Sequence, residues 1–263
     1  MLNDHIDLSG RTALVTGASR GIGEAAARRL HAAGANVVLA ARSSGDIERI
    51  AGELGERAMA TACDVADYAS VEAAVEAAVE RFGSLDILVN NAGLMDPIAR
   101  IENADPDGWG TVIDVNVKGP FHCTRAALAK MRANDPSLPG GRRGIVINIS
   151  SGAATSPLEG WSHYSSSKAA ALMLTRCIHK EEAENGIACV GLSPGTVATD
   201  MQRTIRDSGI NPVSKLDWDK HIPAEWVGEA IAWLTTEPAR EHDGGDFSLK
   251  NDAERDAVGL PRE

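Results

Sequence analysis

The sequence predicts an α/β fold: one parallel sheet, doubly wound, with helices on both faces. Three observations carry that reading. Short runs rich in Val, Ile and Leu alternate along the chain with longer segments of helical period. The runs lack the apolar–polar alternation of a half-solvated sheet, so they read as strands buried on both faces. No stretch of linker composition breaks the alternation, so residues 1–263 read as a single domain.

In chain order, "TALVTG" (12–17) is the first strand, and "EAAARRLHAAG" (24–34) is a helix closed by Gly34. "NVVLAA" (36–41) and "RAMATACDV" (57–65) follow as strands. In "ASVEAAVEAAVERFG" (69–83), Val71, Val75, Val79 and Phe82 form one apolar stripe, and Glu72, Glu76 and Glu80 lie off it, which predicts an amphipathic helix. "LDILVNNAG" (85–93), "GIVINISS" (144–151), "IACVGLSPG" (187–195) and "GGDFSL" (244–249) complete the strands. The Pro/Gly-rich insert "NDPSLPGGRRG" (134–144) reads as a surface loop. The charged tail, 250–263, has a small apolar end at Val258 to Leu260 and is read as either frayed or docked on a neighbouring subunit.

Composition narrows the function. Hydrophobic residues make up 43% and charged residues 24%, as in ordinary globular proteins. The net charge of −11 would repel a polyphosphate backbone, and "GRRG" (141–144) is too short a basic patch to reverse that, so no nucleic-acid partner is expected. Cys63, Cys123, Cys177 and Cys189 lack the paired spacing of a zinc site and are too few for a disulfide framework, so no metal is expected. "MLNDHIDLSG" has no apolar core of a signal peptide, and no apolar run approaches the roughly 18 residues of a membrane span. A cytoplasmic protein without a membrane partner is the expectation.

The first strand runs into "TGASRGIG", where Gly17, Gly21 and Gly23 are spaced G-x-x-x-G-x-G between a strand and a helix. Glycines there permit a tight turn and let a pyrophosphate approach backbone N–H groups at a helix N-terminus. The spacing is not the common G-x-G-x-x-G, and no Gly-Lys-Ser/Thr of a P-loop follows, so a purely structural turn is the competing reading. NAD-binding folds usually place an acid about 20 residues on to hold the ribose 2′-hydroxyl. Here "VVLAARSSG" ends in Ala41 and Arg42 instead, and Arg20 stands inside the glycine loop. Two guanidinium groups suit a 2′-phosphate, so NADP(H) is preferred over NAD(H); the alternative is two solvated arginines.

"SHYSSSK" (162–168) sets one of only two tyrosines four residues before a lysine. On a helix, Tyr164 and Lys168 share a face, and a nearby ammonium favours the phenolate of a group that ordinarily ionises near pH 10. A tuned acid/base is one reading; a packed tyrosine beside a solvated lysine is the other.

Taken together, these motifs resemble the short-chain dehydrogenase/reductase family in its compact form, from about Leu8 to about Leu249. "TGASRGIG", with Gly17, Ser19, Arg20, Gly21, Ile22 and Gly23, resembles the family's cofactor loop. "CDV", with Asp64 and Val65, resembles its adenine contact, and "NNAG", with Asn91, Ala92 and Gly93, the segment beside the cofactor. "VNVKGPF" carries Asn116, which resembles the asparagine of the family's proton relay. "SPGTVATDM", with Pro194, Gly195, Val197 and Thr199, resembles the loop that closes on the nicotinamide. The family's serine stands thirteen positions before its tyrosine, which selects Ser151 and leaves Ser150 secondary.

The resemblance implies a Rossmann-type fold and an oxidoreductase acting on a carbonyl/alcohol pair. Tyr164 would be the general acid/base, Lys168 would lower the phenol pKa and hold the nicotinamide ribose, Ser151 would polarise the carbonyl, and Asn116 would hold a relay water. Residues about 200–222 fall where the family places a substrate lid. The family also implies a homodimer or homotetramer built through the helices near Asn116 and Tyr164. A dinucleotide-sensing protein with little turnover is the competing function. His163 is read as a packing or surface residue, with a place in the substrate-site lining as the alternative, and Trp161 with Leu94 to Pro97 as pocket walls.

Overall fold

The first strand, β1 (Thr12–Thr16), is buried along its whole length. It belongs to a computed structural model that describes residues 6–262; the first five residues and Glu263, the ends of the expected domain and tail, lie outside the described residues. The chain continues through α1 (Gly21–Ala32), β2 (Asn36–Ala41), α2 (Ser44–Leu54), β3 (Ala58–Ala62), α3 (Tyr68–Phe82) and β4 (Ile87–Asn90). Next come α4 (Pro106–Ile113), a π-helical turn (Asp114–Lys118), α5 (Gly119–Ala133), β5 (Gly144–Ile149) and α6 (Ser162–Glu182). It ends with β6 (Ile187–Ser193), α7 (Asp200–Ser208), α8 (Ala224–Leu234), β7 (Asp246–Ser248) and α9 (Asp252–Val258).

The seven strands form one sheet in the order β3-β2-β1-β4-β5-β6-β7, with every pairing parallel. Strand order reverses between β1 and β4, so the loops after these strands diverge and open a crevice at their carboxyl ends. Alternation along β1 feeds two cores. Ala13 and Val15 join Ala26, Ala27 and Leu30 of α1 and Val227 and Ile231 of α8. Leu14 joins Val71 and Val75 of α3 and Ala127 and Met131 of α5 on the opposite face. Helices therefore cover both faces, as the sequence predicts.

Local chemistry sets the helix ends. The Asp67 carboxylate accepts from the Ala69 N–H at the start of α3, and Gly83 ends that helix in the left-handed region. Asp105 caps α4 through the Gly108 N–H at 2.7 Å, with Pro106 in its first turn.

Four expectations change. β3 is an edge strand whose residues are half-buried or exposed, because it pairs only with β2. The first helix starts at Gly21 and ends at Ala32, so the glycine loop itself supplies its first turn. The insert at 134–144 is anchored rather than free: Leu138 is buried, and buried Arg142 donates two bonds to Asp243 at 2.8 and 2.9 Å. The tail docks on its own chain, as α9, with Val258 and Leu260 in the α1/α8 core and the Arg255 guanidinium over the Trp226 ring. Among the described residues, no helix is long and apolar enough to cross a membrane.

Candidate active site

A cleft of about 530 Å³ opens at the carboxyl ends of the strands. Every expected cofactor contact except Gly23 lines it, and so does every expected catalytic residue except Asn116. The segments brought together follow β1, β2, β3, β4, β5 and β6, plus the first turns of α6 and α7.

The glycine loop has the backbone its spacing requires. Gly17 and Gly21 adopt φ of +63° and +57°, which side chains rarely tolerate. Gly23 lies behind the cleft rather than in it. A Cβ there would stand 2.3 Å from the Gly17 carbonyl oxygen and 2.6 Å from Asn91 Nδ2, so its role is to let α1 press against the loop. Asn91 Nδ2 donates to the carbonyls of Thr16 (2.9 Å) and Gly17 (3.1 Å). In return the Thr16 hydroxyl accepts from the N–H groups of Asn91 (3.0 Å) and Ala92 (3.1 Å). Thr16 thus ties the loop after β4 to the glycine loop. Sequence reasoning passed over it, although it is the first residue of the glycine motif. This tight glycine turn at the start of α1, with no side chain at Gly17 or Gly21 to stand between backbone and cleft, fits a dinucleotide pyrophosphate.

Farther along, the Asp64 carboxylate accepts from the Ala66 N–H, which fixes the turn after β3. Arg42 is exposed on the cleft wall and makes no ion pair with any described residue. Arg20 lies 3.7 Å from Asp200 of α7, and both are largely exposed, so the pair is weak. Asp46, in the first turn of α2, lines the same wall and was missed. Its charge opposes a 2′-phosphate and favours ribose hydroxyls.

The acid/base candidates converge at the other end. Tyr164 and Lys168 are buried on α6, with the lysine Nζ 5.5 Å from the phenol ring centroid. Burial pushes the Tyr164 phenol above its ordinary value, and the Ser151 hydroxyl beside it works the other way. This differs from the expected lowering by Lys168. The ammonium instead donates to the Ile149 carbonyl at 2.7 Å, so it does not pair with the phenol. Burial pulls Lys168 down to about 8, with Asp246 opposing.

Asn116 sits in the π-helical turn, behind this pair. Its Nδ2 donates to the Leu94 carbonyl (2.9 Å) and to Ser167 Oγ (3.0 Å), and its Oδ1 accepts from the Leu94 N–H (2.8 Å). Both donors are therefore used to fix the loop after β4 against α6, and one lone pair of Oδ1 is left for other use. A second polar line runs beneath: Asn90 Nδ2 donates to Asn148 Oδ1 (2.8 Å), and Asn148 Nδ2 donates to Thr175 Oγ1 on α6 (2.8 Å).

The remaining expectations divide. Leu94, Met95 and Asp96 line the cleft, but Pro97 does not, and Trp161 packs edge-on against Tyr164 with ring centroids 5.6 Å apart. His163 is buried against the Met95 carbonyl, a packing role. The segment after β6 is more ordered than an irregular lid: α7 contributes Met201 to Thr204 to the cleft, and two single 3-10 turns follow.

Residues 11–209 match the sequence profile of the family described as short chain dehydrogenase. Glucose 1-dehydrogenase 2 of Bacillus subtilis is 35% identical over 239 residues, covering 89% of this chain and 90% of that protein. An uncharacterized oxidoreductase of Staphylococcus epidermidis is 32% identical over 229 residues, covering 87% and 92%. Among solved structures, a 3-ketoacyl-(acyl-carrier-protein) reductase from Brucella melitensis, complexed with NADH, superposes with a TM-score of 0.83 at 32% identity, covering 92% of this chain and 98% of that one.

Proposed function

The chain belongs to the short-chain dehydrogenase family of oxidoreductases, and from that premise we propose that it interconverts a carbonyl and a secondary alcohol with NADP(H), Tyr164 serving as general acid/base. One observation carries the reading: Tyr164, Ser151 and Lys168 line the same cleft as the glycine loop. When bound, the nicotinamide supplies or accepts the hydride. Tyr164, a phenol that burial pushes above its ordinary value, gives its proton to the carbonyl oxygen in reduction and takes it back in oxidation. Ser151 donates a hydrogen bond to that oxygen as charge builds there. Lys168 holds the nicotinamide ribose and stabilises the phenolate, and Asn116 uses its remaining Oδ1 lone pair for a relay water.

Arg20 and Arg42 support NADP(H) over NAD(H), against the opposing charge of Asp46. We read the whole chain as one dinucleotide-binding domain, with 200–222 as the substrate lid. Exposed Phe121 on α5 and Met173 on α6 support a homodimer or homotetramer formed through those helices.

The test is Tyr164→Phe assayed on a panel of carbonyls and alcohols with both nicotinamides. Turnover falls by ~10²-fold or more if the phenol is the acid. Near-wild-type turnover by the variant overturns the role. Dinucleotide binding with no turnover by the wild-type protein would favour a sensor.

A further inference from the structure

The rim of the sheet carries an apolar cluster of its own, apart from the two that cover the sheet faces. Met95, Trp161, Tyr164 and Ile205 are among its buried members, and Met201 and Val213 pack against them. No strand contributes to it. Its residues come from the loops after β4 and β5, the start of α6, α7 and the turn that follows α7. Besides Tyr164, two members also line the cleft: Met95 and Met201. β4 and β6 flank β5 in the sheet, so these methionines leave the rim on either side of the loop that carries Ser151.

Charged and polar groups at this end are already engaged or turned away. The cations that line the cleft are Arg20, Arg42, Lys168 and Arg203. Arg20 and Arg42 belong to the glycine loop and the end of β2, and Lys168 donates to the Ile149 carbonyl. Arg203 donates to Asp200 at 2.8 Å, and its guanidinium lies 5.8 Å from the ring centroid of Trp218, which is not part of the cleft lining. Asp96 is exposed at the mouth, where its charge repels an anion. Gln202 has its Oε1 buried, with no partner among the described residues, so that oxygen is closed to a ligand. An anionic substituent therefore meets no unengaged cation here, and the hydroxyls of a polyol would lose water without fixed partners in return. An apolar group gains by burial alone.

We infer that the substrate is an uncharged ketone, or its alcohol, whose larger substituent is apolar (aryl or branched alkyl), and that Met95 and Met201 select it. This rests on the function proposed above and adds the chemistry of the group beside the reacting carbon. With Tyr164 and Ser151 holding the carbonyl oxygen, that group falls against the cluster to which Tyr164 belongs. Unbranched thioether side chains adapt to its shape, and sulfur packs favourably against the edge of an aromatic ring. The wall behind them is held by the protein's own contacts. Asn211 Nδ2 donates to the Glu159 carbonyl at 3.0 Å, and its Oδ1 accepts from the Val213 N–H at 3.1 Å. A Cβ on Gly160 would lie 3.0 Å from Ile210 and 3.3 Å from Ile98, so the segment after α7 is seated directly on the turn before α6. A wall fixed in this way spends little binding energy on ordering itself.

The test is a ratio of rates. kcat/KM is measured with both nicotinamides for propiophenone, for benzoylformate, which adds a carboxylate to the same aryl ketone, and for dihydroxyacetone, a polyol. The wild-type protein should favour propiophenone over each of the others by at least ~10²-fold. Met201→Ser should lower kcat/KM for propiophenone ~10-fold, through KM, and leave the dihydroxyacetone value within ~2-fold. Met201→Leu should restore most of the loss, and Met95→Ala should act in the same direction as Met201→Ser. Should turnover be too slow to rank, calorimetry ranks binding of the same ketones to the complex with the oxidised nicotinamide, which has no hydride to give. A wild-type preference for benzoylformate or dihydroxyacetone overturns the inference, as does the lack of any preference in binding. Equal losses on all substrates in Met201→Ser overturn it too, since a structural role would produce them. Tyr164→Phe run alongside separates the two failures. If the wild-type protein prefers a charged or polyol ketone and the variant loses that turnover, only the substrate class fails; if the variant keeps its turnover, the catalytic reading itself fails.

Discussion

Gly23→Ala isolates the packing beneath the phosphate loop, because the new methyl has nowhere to go. It would lie 2.3 Å from the Gly17 carbonyl oxygen, 2.6 Å from Asn91 Nδ2 and 2.8 Å from the Gly17 carbonyl carbon. These contacts fall short of ordinary separation by roughly 1 Å, and two of the three atoms are backbone. Relief requires α1 or the loop to move. Forced overpacking of this kind costs about 1–3 kcal/mol. The bond from Asn91 Nδ2 to the Gly17 carbonyl is displaced with it, which costs about 1 kcal/mol more. The better helix propensity of alanine returns about 1 kcal/mol, too little to decide the sign. The net loss of about 2 kcal/mol lowers Tm by about 4–8 °C in a chain of this size. Dinucleotide Kd should rise at least ~10-fold if, as proposed, the moved carbonyl belongs to the turn that takes the pyrophosphate. Gly52→Ala is the matched control: it lies in α2, and nothing stands within 4 Å of its added Cβ. That variant should gain about 0.5–1 kcal/mol. Differential scanning calorimetry and a fluorescence titration read both effects. If Gly23→Ala melts at or above the wild-type temperature, the steric reasoning is wrong.

Two further outcomes follow from the same geometry. Arg42→Ala should weaken NADPH binding at least ~10-fold more than NADH binding, because Arg42 has no ion pair of its own to lose; equal effects in the two titrations would remove the basis for an NADP preference. Leu260→Ala should cost about 2–4 kcal/mol in a denaturant melt, since the side chain is buried in the core that α9 shares with α1 and α8. A smaller loss, or one that varies with protein concentration, would mean that the tail is held by a neighbouring subunit instead.

Much of the site was legible because its signals are local. Glycine spacing fixes a turn, and the four-residue step from Tyr164 to Lys168 fixes a shared helix face, whatever the rest of the chain does. What escaped depends on partners far away in sequence. The exposure of β3 follows from its place at the sheet edge, which its own Ala58 to Ala62 cannot announce. The tail reads as charged, either frayed or docked on a neighbouring subunit, until Val258 and Leu260 meet the core formed by the first helix. The phenol moves up rather than down because Trp161 and Met95 pack around Tyr164 and shut out water, a matter of burial and not of spacing.

All seven strands point the same way, so every loop that lines the cleft leaves from one rim while the hydrogen-bond ladders lie below it. The division of labour is built into that layout. Residues 200–222 follow the loop after β6 and lie outside the seven-stranded sheet, being a helix and two brief turns tied back to that loop at Ile222, which bridges to Val197. The start of this segment is nevertheless tied to the glycine loop, since Asp200 lies 3.7 Å from Arg20 and Asp200 to Thr204 line the same cleft. The cleft lining is spread along the chain, from Gly17 to Thr204, so the rim is assembled only when all six preceding strands are in place.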